Sequence, residues 1–153
     1  MLWKGYFLEL KRQVGKLIEE EEMSVDSIGD FLTIIRNAIM VSKPFVVAPH
    51  SKIKFAVAQI LKKEGFIQDV IVLDGDGPKK NLKIFLKYFN GESVIHEIKR
   101  VSKLGRRFYT GAKGIKPAIG GLGISIVTTD CGVISHKKAK QLNVGGEVIC
   151  TVW

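Results

Sequence analysis

The run Thr128-Thr129-Asp130-Cys131-Gly132 places two hydroxyls, a carboxylate and several backbone N–H groups within five residues. Groups of this kind bond phosphates, riboses and exposed base edges. Lys137, Lys138 and Lys140 follow and bring positive charge beside that patch. Upstream, Lys103-Leu-Gly-Arg-Arg-Phe-Tyr109 mixes cations with rings. Arg106 and Arg107 suit phosphate there, and Tyr109 offers a face on which an unpaired base stacks. The turn His50-Ser51-Lys52-Ile53-Lys54 forms a third group. Ser51, Lys52 and Lys54 would open a helix at its electropositive end, where cations are unfavourable unless an anion sits nearby. Glu147 is an acid beside a basic surface. It repels phosphate but accepts bonds from base or amide donors, and so can orient the neighbouring loop. These groups read as a grip for folded RNA.

Catalysis would need a nucleophile with its base, paired carboxylates or a metal set. His50, His96 and His136 and the two cysteines, Cys131 and Cys150, show no ligand spacing. Asp74-Gly-Asp-Gly-Pro78 lacks the remaining ligands of a calcium loop. Gly120-Gly-Leu-Gly123 lacks both the lysine of a phosphate-binding loop and the spacing of a dinucleotide fingerprint. The expectation is therefore no enzyme, no cofactor and no metal. No helix-turn-helix or zinc-finger pattern supports a DNA-binding repressor. No apolar run reaches the length of a membrane-spanning helix. The cysteines read as reduced thiols, with a disulfide between them as the alternative.

The chain has 153 residues, 24 Lys+Arg against 15 Asp+Glu, and a net charge of +9. That excess predicts a polyanionic partner or an anionic membrane. It is unevenly placed. Residues 1–22 hold four bases and five acids, so the excess lies wholly downstream. From Ile98 to Thr129 there is no acid, while Lys99, Arg100, Lys103, Arg106, Arg107, Lys113 and Lys116 all fall in that window. A face built only for solubility mixes signs.

The elements that must position these groups follow from periodicity and punctuation. A helix capped by Asp26 or Ser27 runs to about Val41, with Ile28, Phe31, Leu32, Ile35 and Ile39 inward and Arg36 facing phosphate or water. Phe45 to Ala48 is a short strand between prolines. Ser51 caps a second helix, Lys52 to Glu64, closed by Gly65. Phe66 to Leu73 and Leu82 to Phe89 form a hairpin, and Asn90-Gly91 marks a break. Val94 to Val101 is a strand. The strand Leu122 to Thr128 enters the hydroxyl-rich loop, and Ser135 caps a helix through Gln141. A terminal strand reaches Trp153, which seals the core edge. The fold class is α+β, in two lobes. Residues 24–90 form an N-terminal α/β lobe with a small sheet and two helices, and residues 91–153 form a mostly β lobe that binds RNA.

One stretch carries a resemblance. Gly123, Ile126, Val127, Thr128, Thr129, Gly132, Val133, Ile134, Ala139 and Lys140 fill every fixed place in the signature of the bacterial-type eighth protein of the small ribosomal subunit. Asp26 to Asn37, Lys103 to Tyr109 and Gly145 to Trp153 are similar to other segments of that family. Ser27 and Leu104 stand where proline is common, Asp130 where serine is usual and Cys131 where lysine or a similar residue is common. The resemblance implies a structural constituent of the small subunit. It would grip an irregular hairpin in the central domain of small-subunit rRNA and support assembly and translation. It implies neighbouring small-subunit proteins as partners, the fifth and twelfth, and a cytoplasmic ribosome, with an organellar one as the other setting.

The resemblance covers residues 24–153. Upstream, Leu2, Trp3, Phe7, Leu10, Val14, Leu17 and Ile18 recur at helical spacing and end in Glu19 to Glu22. Two expectations compete for residues 1–22. They are a lineage-specific arm that docks on a neighbour, or untranslated codons before a start at Met23. The purine-rich codons of four glutamates favour the second, and the intact mass of the native protein decides between them.

Overall fold

A computed structural model describes residues 27–75, 77, 79–115 and 121–153. The expectations placed on residues 1–22, on Asp26 as a cap, on Asp76 and Pro78, on Lys116 and Pro117, and on Gly120 lie outside these residues.

Apolar residues spaced three and four apart share one helix face. Ile28, Phe31, Leu32, Ile35 and Ala38 are accordingly the buried residues of α1, Ser27–Met40. The chain continues through β1 (Phe45–Pro49), α2 (Lys52–Lys63), β2 (Ile67–Asp74) and β3 (Lys80–Leu86). Helix α2 begins as its sequence predicts, with the Ser51 hydroxyl accepting the Lys54 N–H at 3.2 Å. It ends before Gly65, whose φ of +83° a side chain would resist. The three strands form an antiparallel sheet in the order β1-β3-β2. Alternation turns Val46, Ala48, Val70, Leu82, Ile84 and Leu86 into one core with the apolar faces of α1 and α2. Each fully buried Leu, Ile or Phe in it contributes roughly 1.5–3 kcal/mol.

The middle of the chain departs from expectation. The third strand stops at Leu86, and Tyr88–Phe89 (β4) instead pairs with Glu92–Ser93 (β5). Asn90 and Gly91, at φ 51° and 80°, make the tight turn between them, so this dipeptide closes a small hairpin. The strand expected from Val94 to Val101 is only Ile98–Arg100 (β6). The N–H groups of His96 and Glu97 both bond the Trp153 carbonyl, which draws that segment off a regular ladder.

The second lobe contains β7 (Tyr109–Thr110), a 3-10 turn at Ala112–Gly114, β8 (Ile124–Thr129), β9 (Gly132–Ser135), α3 (His136–Leu142) and β10 (Gly146–Val152). Its sheet runs β6-β10-β8-β9, with β7 also on β10. Strand β10 is the hub. Cys150–Val152 pair with β6, Gly146 and Glu147 with β7, and the opposite edge with β8. Ile115, Val127, Ile134, Ala139 and Val148 form a small core under α3.

The lobes share their main core, because Ile98, Ile124, Ile126, Ile149, Cys150 and Val152 pack into the same cluster as α1 and α2. Arg36 is exposed as expected, and its guanidinium also donates to the Ile98 carbonyl across the lobes at 2.6 Å. The fold is α+β, with helices and a small sheet first and mostly strands after.

Candidate nucleic-acid interface

Residues directly opposed in an antiparallel sheet point to the same face. Glu147 is opposed by Tyr109 on one side and Thr128 on the other. Tyr109, Glu147 and Thr128, far apart in sequence, therefore stand in one row. The strands close up because two glycines let them. A Cβ on Gly146 would meet the Thr128 carbonyl oxygen at 2.1 Å, and one on Gly145 would meet the Thr110 carbonyl oxygen at 2.4 Å. Tyr109 is 67% exposed, so its ring belongs to the surface and not to the core.

Glu147 is pinned. Its Oε1 accepts the Ser102 hydroxyl at 2.5 Å and an Arg107 guanidinium N–H at 2.9 Å. The Ser102 bond, joined by the bond and charge of Arg107 and the charge of Arg100, holds this carboxyl below the usual carboxylate range, against the effect of burial. Ser102 is buried, and its oxygen also accepts the Phe108 N–H at 3.2 Å. The expectation that Glu147 orients a neighbouring loop thus has a route, through a serine that the sequence did not single out. The cue was faint: one small hydroxyl in Ile98-Lys-Arg-Val-Ser102, with its partner 45 residues on.

The basic loop is closed at its base, where Lys103 and Arg106 exchange backbone bonds at 3.0 Å each. Arg106 and Arg107 are exposed. At the other end of the row, β8 and β9 form a hairpin through Asp130 and Cys131, both exposed. The Thr129 hydroxyl donates to the Gly132 carbonyl at 2.9 Å and accepts the Cys131 N–H at 3.1 Å. Its donor, expected to face RNA, is spent on the turn. Gly132, at φ +106°, supplies a conformation that side chains resist.

Ser135 caps α3 as expected, accepting the Lys138 N–H at 3.4 Å. Lys137 and Lys138 are exposed, but the Lys137 ammonium lies 3.5 Å from Glu64, on the other lobe. His136, between cap and lysines, is buried, and its Nδ1 accepts the Ser125 N–H at 3.1 Å. Burial above all, with Lys137 and Lys140, lowers its pKa. Lys54 does not sit where the sequence suggested. It is 2% exposed, and its Nζ donates to the Pro49 carbonyl at 3.4 Å, leaving Lys52 as the exposed cation of that turn. Both cysteines are free, and burial pushes the Cys150 thiol up to about 12, the range of an inert packing group. Among the described residues no cluster of His, Cys, Asp or Glu could hold a metal.

A ring, a fixed carboxylate and a hydroxyl thus stand in one row on the second lobe, with exposed Arg106, Arg107, Lys137 and Lys138 on the same lobe. Comparison with known proteins gives the chain a family. The family model described as Ribosomal protein S8 matches residues 26–153. The chain belongs to the ribosomal protein S8 family. Proteins of the S8 family are structural and non-enzymatic. Two relatives called small ribosomal subunit protein uS8, from Paraburkholderia xenovorans (strain LB400) and Xylella fastidiosa (strain M12), are 51% and 46% identical over 127 residues. A third, from Burkholderia cenocepacia (strain HI2424), is 50% identical over the same length. Each match covers 83% of this chain and 96% of the relative. The matched S8 region contains the whole Tyr109–Glu147–Thr128 row.

Proposed function

We propose that this chain is a constituent of the small ribosomal subunit that grips an irregular hairpin in the central domain of its rRNA and supports subunit assembly and translation. The row Tyr109–Glu147–Thr128 carries this reading. The Tyr109 ring stacks on an unstacked base, and the Thr128 hydroxyl bonds a ribose or base edge. Glu147 repels phosphate, so the base-reading row is kept for nucleosides. Arg106, Arg107, Lys137, Lys138 and, on the first lobe, Ser51 and Lys52 meet the flanking backbone. Release of counterions from those phosphates supplies most of the affinity. The Asp130–Gly132 turn supports Thr128 and follows the RNA surface with its backbone. Lys54 holds the Ser51 turn in place from behind. Neighbouring small-subunit proteins, the fifth and twelfth, complete the surroundings on a cytoplasmic ribosome.

Binding of the purified chain to the rRNA hairpin, a regular RNA duplex and duplex DNA tests the proposal. The hairpin is expected to win, with duplex DNA competing poorly. Strong DNA competition would instead favour a basic DNA-binding module. Retention on small subunits through a high-salt wash is the second expected result.

A further inference from the structure

We propose that Ser102 is a positioning residue for RNA recognition, its hydroxyl locking the Glu147 carboxylate and the 103–108 loop into the one arrangement that holds Tyr109 beside Thr128. This rests on the RNA-binding reading above. Ser102 is 1% exposed, so solvent does not substitute for what it binds. Its hydroxyl has one proton, given to Glu147 Oε1, and takes one from the Phe108 N–H. Its own N–H donates to the Val148 carbonyl at 3.1 Å, and its carbonyl accepts from Arg100 Nε. The Phe108 carbonyl in turn accepts the Val148 N–H at 3.0 Å. Backbone bonds to Val148 thus fasten both ends of the basic loop to β10, and the Ser102 side chain ties the Phe108 N–H to Glu147, the residue that opposes Tyr109. Alanine there would strand the Phe108 donor and leave the carboxylate to the exposed Arg107 alone, loosening Tyr109 without removing any group that touches RNA.

The charged groups around Glu147 are Arg107 of the loop and Arg100 on β6, while Tyr109 and Thr128 flank it on β7 and β8. With the Ser102 bond removed, Glu147 gains its proton at higher pH. The test compares wild type with Ser102→Ala on the rRNA hairpin and on a regular RNA duplex, across salt and from acidic to neutral pH. The variant is expected to lose about tenfold on the hairpin and nothing on the duplex. Its salt slope is expected to match wild type, with its acid loss of hairpin affinity moved to higher pH. Unchanged hairpin affinity, or equal loss on both RNAs, would overturn the assignment. If that variant does not fold, Ser102→Cys is titrated by carbon NMR beside wild type. A Glu147 midpoint raised in the variant supports the lock, and an unmoved midpoint overturns it. A wild-type chain that ignores the hairpin would sink the RNA reading itself, whereas wild-type binding with an indifferent Ser102→Ala sinks only this step.

Discussion

Single positions carry sharp demands in the second lobe. Gly146→Ala drives a methyl into the Thr128 carbonyl. It is expected to lower stability by about 1–3 kcal/mol, read as a shifted urea midpoint; an unmoved midpoint would mean β10 and β8 are not so close. Thr129→Ala removes a hydroxyl that serves the turn on both sides. It is expected to lower stability by about 1 kcal/mol and to weaken hairpin and duplex binding alike. Selective loss on the hairpin would return that hydroxyl to RNA. His136 makes stability depend on pH. Its folded pKa lies below the unfolded value, so in the window between them the unfolded chain binds more protons and stability rises with pH. The contribution is complete above about 6.5 and is lost as pH falls through the folded value, because burial beside Lys137 and Lys140 disfavours the imidazolium. His136→Asn is expected to flatten that slope in urea titrations at stepped pH.

Among elements, the helices are the most legible in sequence. Their Ser51 and Ser135 caps and the closing Gly65 are local signals found where expected, and α1 buries Ile28, Phe31, Leu32 and Ile35 of its predicted stripe. Ser51→Ala is accordingly expected to lower stability by about 1 kcal/mol, and an unchanged thermal midpoint would contradict the cap. The segment around residue 94 is not legible as it folds, since its hydrogen bonds go to Trp153, a partner that no local pattern names. The same reason hides Ser102, and it hides the bond that the exposed Arg36 makes to the Ile98 carbonyl. Lys54 escapes for another cause: a charged residue type conceals a long aliphatic stem, and here the helix turns that stem inward. The residues of the proposed site are chosen by type and spacing alone. Its arrangement, three strands meeting at Glu147, is not legible in that way, because register across β7, β10 and β8 is set by the packing of the whole sheet.

At the scale of the molecule, charge and core divide the work. Affinity is expected to follow salt. Lys137→Gln and Lys138→Gln each remove one exposed cation from the proposed interface, and each is expected to flatten the slope of log K against log salt by about one unit or less. Lys138 should matter more, since Glu64 already engages Lys137. Identical slopes for wild type and both variants would remove α3 from the interface. The shared core makes the lobes one mechanical body, bridged by Arg36 and by the Lys137–Glu64 pair. Strand β10 is the hub of the second sheet and is made after β6, β7, β8 and β9. A growing chain that has not yet reached Gly146 therefore holds every strand of its first sheet, while β6, β7 and β8 still lack their common partner, so the proposed RNA grip is the last part to assemble.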